Sequence, residues 1–380
     1  MLNFKAVSLS DYEEEAHKRL PADALTFYAS GSDGEVTLKE NNISARRYRL
    51  RPRVLQNVSH VDTSSTILGH PVAFPICVSP SAWHKFAHIN AEKETARGAA
   101  KAGVAMTVSS VSTVANKHIT ASNPGGLFFM QAYVMKNRRL QRLMLTNLKE
   151  YGFKAVVLSV DCPVISHRRK QFGAEMLGRI ESEEMNSYRV INYLQDDPDV
   201  KKAYKDGPKA FSNYFFNQVH DSSPVDPEFI RVIKSYSKLP VVVKGILTGK
   251  IARLAADHGA DAVWVSNHGG RQLDFTPSTL DVLQEVVDAV KGTNTEVYVD
   301  SGFRTGTDAF KALALGAKTV FVGRPVLWGL AVKGSDGVCD VLRILQNELA
   351  QCMALCGCPN IASISRTHVV AENAYLGSKL

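Results

Sequence analysis

The chain has 380 residues, 45% of them hydrophobic, with 45 Lys and Arg set against 37 Asp and Glu for a net charge of +8. That length exceeds an ordinary single domain but suits one α/β barrel with insertions, and the apolar fraction is enough to fill its core. Basic and acidic residues are interspersed, which argues against a nucleic-acid-binding stripe, and no apolar run approaches the roughly 18 residues that span a bilayer.

Met1-Leu2-Asn3-Phe4-Lys5 leads into a charged amphipathic stretch rather than a signal peptide, so a soluble, intracellular protein is expected, with neither nucleic acid nor membrane as a partner. The moderately basic balance is compatible with a site for small anions. Six cysteines (Cys77, Cys162, Cys339, Cys352, Cys356 and Cys358) show no paired CxxC spacing and read as reduced thiols. The last three cluster without a nearby histidine, so no metal site is expected there.

Taken in order, residues 1–60 form a helical preamble. Ser8 caps an acid-rich helix start, Pro21 opens a second segment, and Phe27-Tyr28-Ala29-Ser30-Gly31-Ser32 follows. From residue 70, short apolar runs alternate with helical patterns. Eight strands are predicted: Pro75–Ser79, Ala105–Ser109, Leu127–Tyr133, Ala155–Val160, Pro240–Lys244, Ala262–Ser266, Glu296–Asp300 and Thr319–Val322. Helical patterns at Asn90–Ala102, Arg138–Tyr151, Gly249–His258, Thr279–Lys291 and Asp308–Leu315 fill most of the gaps. Eight βα units predict a (β/α)8 TIM barrel, an α/β fold, occupying residues 1–380 as a single domain.

A long insertion after the fourth strand, about residues 165–238, shows no clear period. It reads either as a lid over the strand ends or as a surface excursion. Gly337–Leu355 is an amphipathic helix expected to close the barrel. The chain ends in Ser378-Lys379-Leu380, the tripeptide read by the peroxisomal import receptor, which predicts a peroxisomal location.

Polar residues gather at the predicted strand ends, where barrel enzymes keep their chemistry. The third strand ends in Gln131-Ala132-Tyr133, the fourth in Ser159-Val160-Asp161, the fifth in Lys244, and the seventh in Asp300, followed by Arg304. Lys244 ends the run Pro240-Val241-Val242-Val243, where an ammonium is costly to bury without a partner. After the sixth strand comes Ser266-Asn267-His268-Gly269-Gly270-Arg271-Gln272-Leu273-Asp274. His268 titrates near neutrality and the Arg271 guanidinium matches a carboxylate, a pairing suited to proton removal beside a bound acid. The same pair also suits a backbone-bonded histidine and a solvated arginine.

That nine-residue string resembles the active-site signature of the FMN-dependent 2-hydroxy-acid oxidase and dehydrogenase family, glycolate oxidase and its relatives, and the resemblance runs over nearly the whole chain. It implies FMN as cofactor, a 2-hydroxy acid and O2 as substrates, and a homotetramer. It makes His268 the base, Asp161 its carboxylate partner, and Tyr133 the hydroxyl that meets the substrate oxygen. Arg168 and Arg271 become a clamp on the substrate carboxylate, with Phe27 nearby. Pro80, Ser81, Ala82, Ser109, Gln131, Ser159 and Ser266 are implied contacts of the flavin, and Lys244 lies by it as a cation that favours reduction. Asp300 is implied to meet the ribityl chain, while Ser301, Gly302, Arg304, Gly323 and Arg324 hold the phosphate.

Three positions depart from the family. Phe27 stands where a tyrosine is common, Val111 where glycolate oxidases typically have a tryptophan, and Ser301 in place of the first glycine of an Asp-Gly-Gly turn. The first two imply a roomier or more apolar pocket, and so a longer aliphatic or aromatic acid than glycolate. Two further readings stay open: a dehydrogenase that uses another electron acceptor, and a non-catalytic FMN-binding barrel.

Overall fold

The computed structural model describes residues 5–170, 197–219, 221–223 and 226–376. The terminal tripeptide 378–380 and residues 171–196 of the insertion lie outside the described residues.

Eight parallel strands close into a barrel. They are β1 (Ile76–Val78), β2 (Ala105–Val108), β3 (Leu127–Tyr133), β4 (Ala155–Ser159), β5 (Val241–Ile246), β6 (Ala262–Val265), β7 (Glu296–Val299) and β8 (Thr319–Val322). Each coincides with a predicted strand to within one or two residues at either end. These runs are apolar on both faces, one facing the barrel interior and the other the helical ring, which is why they lack the alternation of a half-exposed strand. Val320 pairs with Ile76 to close the ring. The interior is packed: Trp264 and Phe321 stack with centroids 3.8 Å apart, and Tyr298 meets both.

β5 runs two residues beyond its predicted end because of an irregularity. Its register against β6 shifts between Lys244 and Ile246, and Gly245 between them has φ +104°. A Cβ at Gly245 would lie 2.6 Å from Asp161 Cβ, so this glycine makes the room that Asp161 occupies.

The preamble forms as expected: Leu9–Arg19 starts on Ser8, whose side chain makes a reciprocal capping box with Asp11, and Ala22–Ala29 follows Pro21. Tyr12 donates a 2.7 Å hydrogen bond to Asp340, tying the first helix to the long one at Arg324–Leu355. The closing helix begins earlier than expected. Helix spans Arg324–Leu355, broken at Lys333 and Gly334, so a first helix precedes the break and the predicted segment is the second. The insertion is more regular than its composition suggests, with helices at Pro198–Lys205, Pro208–Val219 and Phe229–Ser237. Phe229, Ile230 and Ile233 bury one face of the last of these.

Two antiparallel pairs were not anticipated, Tyr48–Leu50 with Val369–Ala371 and Ser65–Ile67 with His70–Val72. Three residues are too few to show a period. No disulfide links any of the six cysteines. Cys358 does have a histidine neighbour, since the fold brings His368 Nε2 to 3.3 Å from its sulfur. Among the described residues no helix is long and apolar enough to cross a membrane.

Candidate active site

His268 stands just past the end of β6. Val265 passes into a loop pinned by reciprocal amide bonds between Asn267 and Asn41, 2.8 and 2.7 Å long. His268 itself takes a left-handed φ of 59°, and its N–H donates to Ser266 Oγ at 3.0 Å. This unusual backbone aims the ring back across the barrel mouth toward Asp161, just past the end of β4. Nδ1 lies 3.0 Å from Asp161 Oδ2. The carboxylate accepts the Nδ1 proton, which leaves Nε2 as the free basic nitrogen.

Burial pushes His268 below the ordinary imidazole value; Asp161 pulls it back up, and Lys244 adds to the lowering. The ring is therefore neutral and ready to accept a proton. Burial works against the charge of Asp161 as well, but its pairing and hydrogen bond with His268, together with the Lys244 charge, outweigh it and hold the carboxyl down at about 2.

Lys244 is 3% exposed. Its Nζ donates to Ser266 Oγ at 2.8 Å and sits 3.3 Å from Asp300 Oδ2. Burial alone would discharge it, yet Asp300 and Asp161 hold its pKa above the usual lysine value, so it stays a cation. Asp300 also accepts from Ser79 at 3.4 Å and from Ser301 Oγ at 2.7 Å. Ser301 carries a positive φ of 77° where glycine is easier, and its hydroxyl in turn accepts the Gly269 N–H at 3.0 Å. The serine thus replaces conformational ease with two hydrogen bonds.

Four guanidinium groups, those of Arg168, Arg271, Arg304 and Arg324, share with Lys244 the wall of a cavity of about 960 Å³ including its open mouth. Asp300 is the carboxylate on that wall. Arg271 Nη1 donates to the carbonyls of Phe27 (2.6 Å) and Ser30 (2.9 Å), and its guanidinium lies 5.1 Å from the Phe27 ring centroid. Arg324 reaches the same segment, donating to Tyr28 O at 2.9 Å and Ser30 O at 3.1 Å. Burial and then the neighbouring Arg168 and Arg324 push Arg271 well down, while burial and then Arg304 push Arg324 to about 9. Arginines that repel one another inside a cavity mark it as built for anions.

Most of the expected residues line this cavity together: Phe27, Tyr133, Arg168, His268 and Arg271 on one side; Pro80, Ser81, Ala82, Ser109, Gln131 and Ser159 along the strand ends; Gly302, Arg304, Gly323 and Arg324 at the far side. Asp161 and Ser266 are not on the wall but stand behind it, against His268 and Lys244 respectively. Gln131 is fixed by Ser110, whose N–H and hydroxyl both donate to its Oε1 at 3.1 Å, and its amide donates to Ser159 at 3.2 Å. The helix from Arg324 starts on Gly323, which has no side chain to cap it; Pro325 carries no N–H and Val326 N–H donates to Gly323 O at 3.0 Å, so the Arg324 N–H is what the first turn leaves at the cavity edge.

Sequence reasoning missed Tyr28, Ser79, Gly269 and Leu327 on the wall. Tyr28 adjoins the noted Phe27, and Leu327 lies one turn beyond Arg324, so neighbourhood was the available signal. Cys162 was read only as a buried thiol. Its sulfur lies 3.3 Å from Asp161 Oδ1 and 3.5 Å from His268 Nδ1, and burial, then Asp161, raises its pKa.

The family model for FMN-dependent dehydrogenases matches residues 16–371. The chain is 40% identical to 2-hydroxyacid oxidase 2 of Mus musculus, covering 94% of this chain and 96% of the relative. It is also 40% identical to a peroxisomal (S)-2-hydroxyacid oxidase of Arabidopsis thaliana, over 98% and 99% of the two chains. Among solved structures it is similar to mandelate oxidase, with a TM-score of 0.83, 33% identity, and 97% and 99% of the chains covered. Mandelate oxidase with (S)-2-phenylpropionate gives a TM-score of 0.81.

Proposed function

The chain belongs to the FMN-dependent dehydrogenase family, and from that premise we propose that it oxidises an L-2-hydroxy acid to the 2-oxo acid, with oxygen reduced to hydrogen peroxide. The observation that carries this reading is a neutral His268, locked to Asp161 at 3.0 Å, on the wall of a cavity that also presents Arg168 and Arg271.

The cavity fits FMN chemically. Arg304 and Arg324, with the Arg324 N–H at the helix start, suit a phosphate dianion; Ser109, Gln131 and Ser159 offer hydroxyl and amide groups to a heteroaromatic edge. Lys244 supplies a buried positive charge there, and Asp300 can accept from ribityl hydroxyls. FMN, when bound, takes two electrons from the substrate and passes them to the acceptor.

The chain's own residues do the rest. Arg168 and Arg271 grip the carboxylate and so orient the α-carbon. His268 Nε2 accepts the proton that the substrate loses, and ionised Asp161 stabilises the imidazolium that results. Tyr133 donates to the substrate oxygen as charge develops on it.

The pH profile follows from His268. Its neutral form is the active one and its pKa lies below the ordinary value, so the acid limb of kcat/KM falls at lower pH than an ordinary imidazole would give. Asp161 raises that pKa, so Asp161→Asn moves the acid limb to lower pH while lowering the plateau. A limb that moved to higher pH would contradict the pairing.

Binding should also be visible in stability. An FMN phosphate relieves the repulsion between Arg304 and Arg324, and a ligand at 100 times its Kd stabilises the fold by about 2.7 kcal/mol. Thermal scans should show Tm rising on FMN addition to stripped protein, and a smaller rise in Arg324→Leu. Equal rises would count against phosphate binding there.

The substrate is an acid bulkier than glycolate. Phe27 carries no hydroxyl and packs its ring 4.8 Å from Trp83 and 5.8 Å from Phe86, an apolar group beside the arginine clamp. Likeness to mandelate oxidase, a protein solved with aromatic acids, supports the same choice. We further propose a peroxisomal location, supported by Ser378-Lys379-Leu380 and by the peroxisomal relative; one residue added after Leu380 should leave the enzyme cytosolic. Assembly as a homotetramer is proposed from the family resemblance and is checked by sedimentation.

The deciding experiment is anaerobic. The yellow protein is mixed with glycolate, 2-hydroxyoctanoate or mandelate, its bleaching timed, and air then admitted. Bleaching that reverses in air with peroxide formation supports the oxidase, and fastest bleaching by glycolate removes the substrate proposal. Bleaching that air does not reverse assigns another acceptor, and no bleaching with any acid rejects the activity.

A further inference from the structure

We propose that Asp161, Cys162 and His268 form a binding site for a soft divalent cation of the Zn2+ or Cd2+ kind, and that filling it switches the base off. Three donors of different chemistry meet there. The Cys162 sulfur is 3.3 Å from Asp161 Oδ1 and 3.5 Å from His268 Nδ1, and Nδ1 is 3.0 Å from Asp161 Oδ2. A tetrahedral ion with bonds of about 2.0–2.3 Å keeps its ligands about 3.3–3.8 Å apart. The Sγ–Oδ1 and Sγ–Nδ1 separations already lie in that range, and Nδ1 meets the carboxylate through its other oxygen, Oδ2, slightly inside it.

Among the described residues, this is the group of three in which His, Cys or carboxylate ligand atoms converge, all within 4.8 Å of one another. A set combining thiolate, imidazole and carboxylate selects zinc-like ions over Mg2+ and Ca2+, which prefer oxygen alone.

A second cavity, lined by Asp161, Ile165, Leu247 and Ser266, reaches the carboxylate member of the site, while His268 is on the wall of the substrate cavity. Lys244 opposes an incoming cation, but its ammonium is 3.3 Å from Asp300, which offsets that charge.

The chemistry of inhibition is proton placement. The ion binds the thiolate, and the thiol proton leaves to solvent. It also takes the Nδ1 lone pair, so the single proton of the neutral ring moves to Nε2. Nε2, the basic nitrogen of the open site, becomes a donor and cannot accept the substrate's proton. No bond to FMN or substrate is involved, and only this inhibitory effect rests on the proposed reaction.

The test titrates the FMN-loaded enzyme with Cd2+ alone, reading the ultraviolet thiolate-to-metal charge-transfer band, and then with Zn2+ during turnover. One ion per chain is expected, with turnover falling as the site fills. Cys162→Ser should weaken binding at least about tenfold, while Cys339→Ser, in the closing helix, leaves it unchanged. X-ray absorption at the zinc edge on the wild-type enzyme should show sulfur and nitrogen neighbours, a readout that needs no variant to fold. A charge-transfer band that persists in Cys162→Ser, or a zinc shell without sulfur, overturns the site. Binding that disappears in Cys162→Ser but leaves wild-type turnover untouched overturns the switch alone; the reading of His268 as the base is tested separately by flavin reduction in His268→Gln.

Discussion

Glutamine in place of His268 slows flavin reduction by an L-2-hydroxy acid about 100- to 10,000-fold, the range a positioned general base contributes, while FMN stays bound. The amide keeps a polar group near Asp161 but accepts no proton. The measurement is anaerobic stopped-flow absorbance at saturating substrate, with the visible spectrum confirming cofactor content. Because His268 takes a left-handed φ of 59°, His268→Asn is the companion variant, asparagine being more at ease in that backbone. Asp161 and His268 act as a unit, so the double variant should be little worse than His268→Gln alone. A loss under tenfold would mean that another group takes the proton.

Arg271→Leu has the second large effect and a different signature. Truncating one partner of a buried, hydrogen-bonded charge pair costs about 2–5 kcal/mol, or roughly 30- to 5,000-fold in kcat/KM. The change also leaves the Phe27 and Ser30 carbonyls without their 2.6 and 2.9 Å donor, at about 1–3 kcal/mol for each buried acceptor left unsatisfied. Relief of the repulsion from Arg168 and Arg324 offsets part of that loss. Arg271→Lys keeps the charge without the planar fork and should fall between leucine and wild type. Urea denaturation alongside steady-state kinetics separates the two effects. Unchanged KM and kcat in Arg271→Leu would remove it from the substrate clamp.

The barrel was legible because its strands are buried on both faces, so Val241-Val242-Val243 and Ala262-Val263-Trp264-Val265 stand out as unbroken apolar runs. The site was legible where chemistry sits at strand ends, as with Lys244, and where a local string carried the family resemblance, as with His268 and Arg271. The helices at Pro198–Lys205 and Phe229–Ser237 were missed because polar residues at their exposed positions blur a period visible only once the buried face is known. The break at Lys333 and Gly334 hid the first half of the closing helix. No sequence pattern announces that the backbone carbonyls of residues 27 to 30 receive two arginines, since every residue carries the same carbonyl. Lys244 was expected to lie by the flavin, and the fold adds Asp300 and Ser266 as partners within the chain.

Those carbonyls have a consequence for the timing of synthesis. Arg324 Nε and Nη2 bond Tyr28 O and Ser30 O across 296 and 294 positions of the chain. The residues that hold the two ends of the cavity together are therefore made far apart in time, Arg324 long after Tyr28 and Ser30. A nascent chain that stops short of Arg324 can form strands but cannot complete the anion pocket, so cofactor capture has to wait until Arg324 has been made. Chains stalled or truncated just before Arg324 should emerge colourless even when their first seven strands are intact.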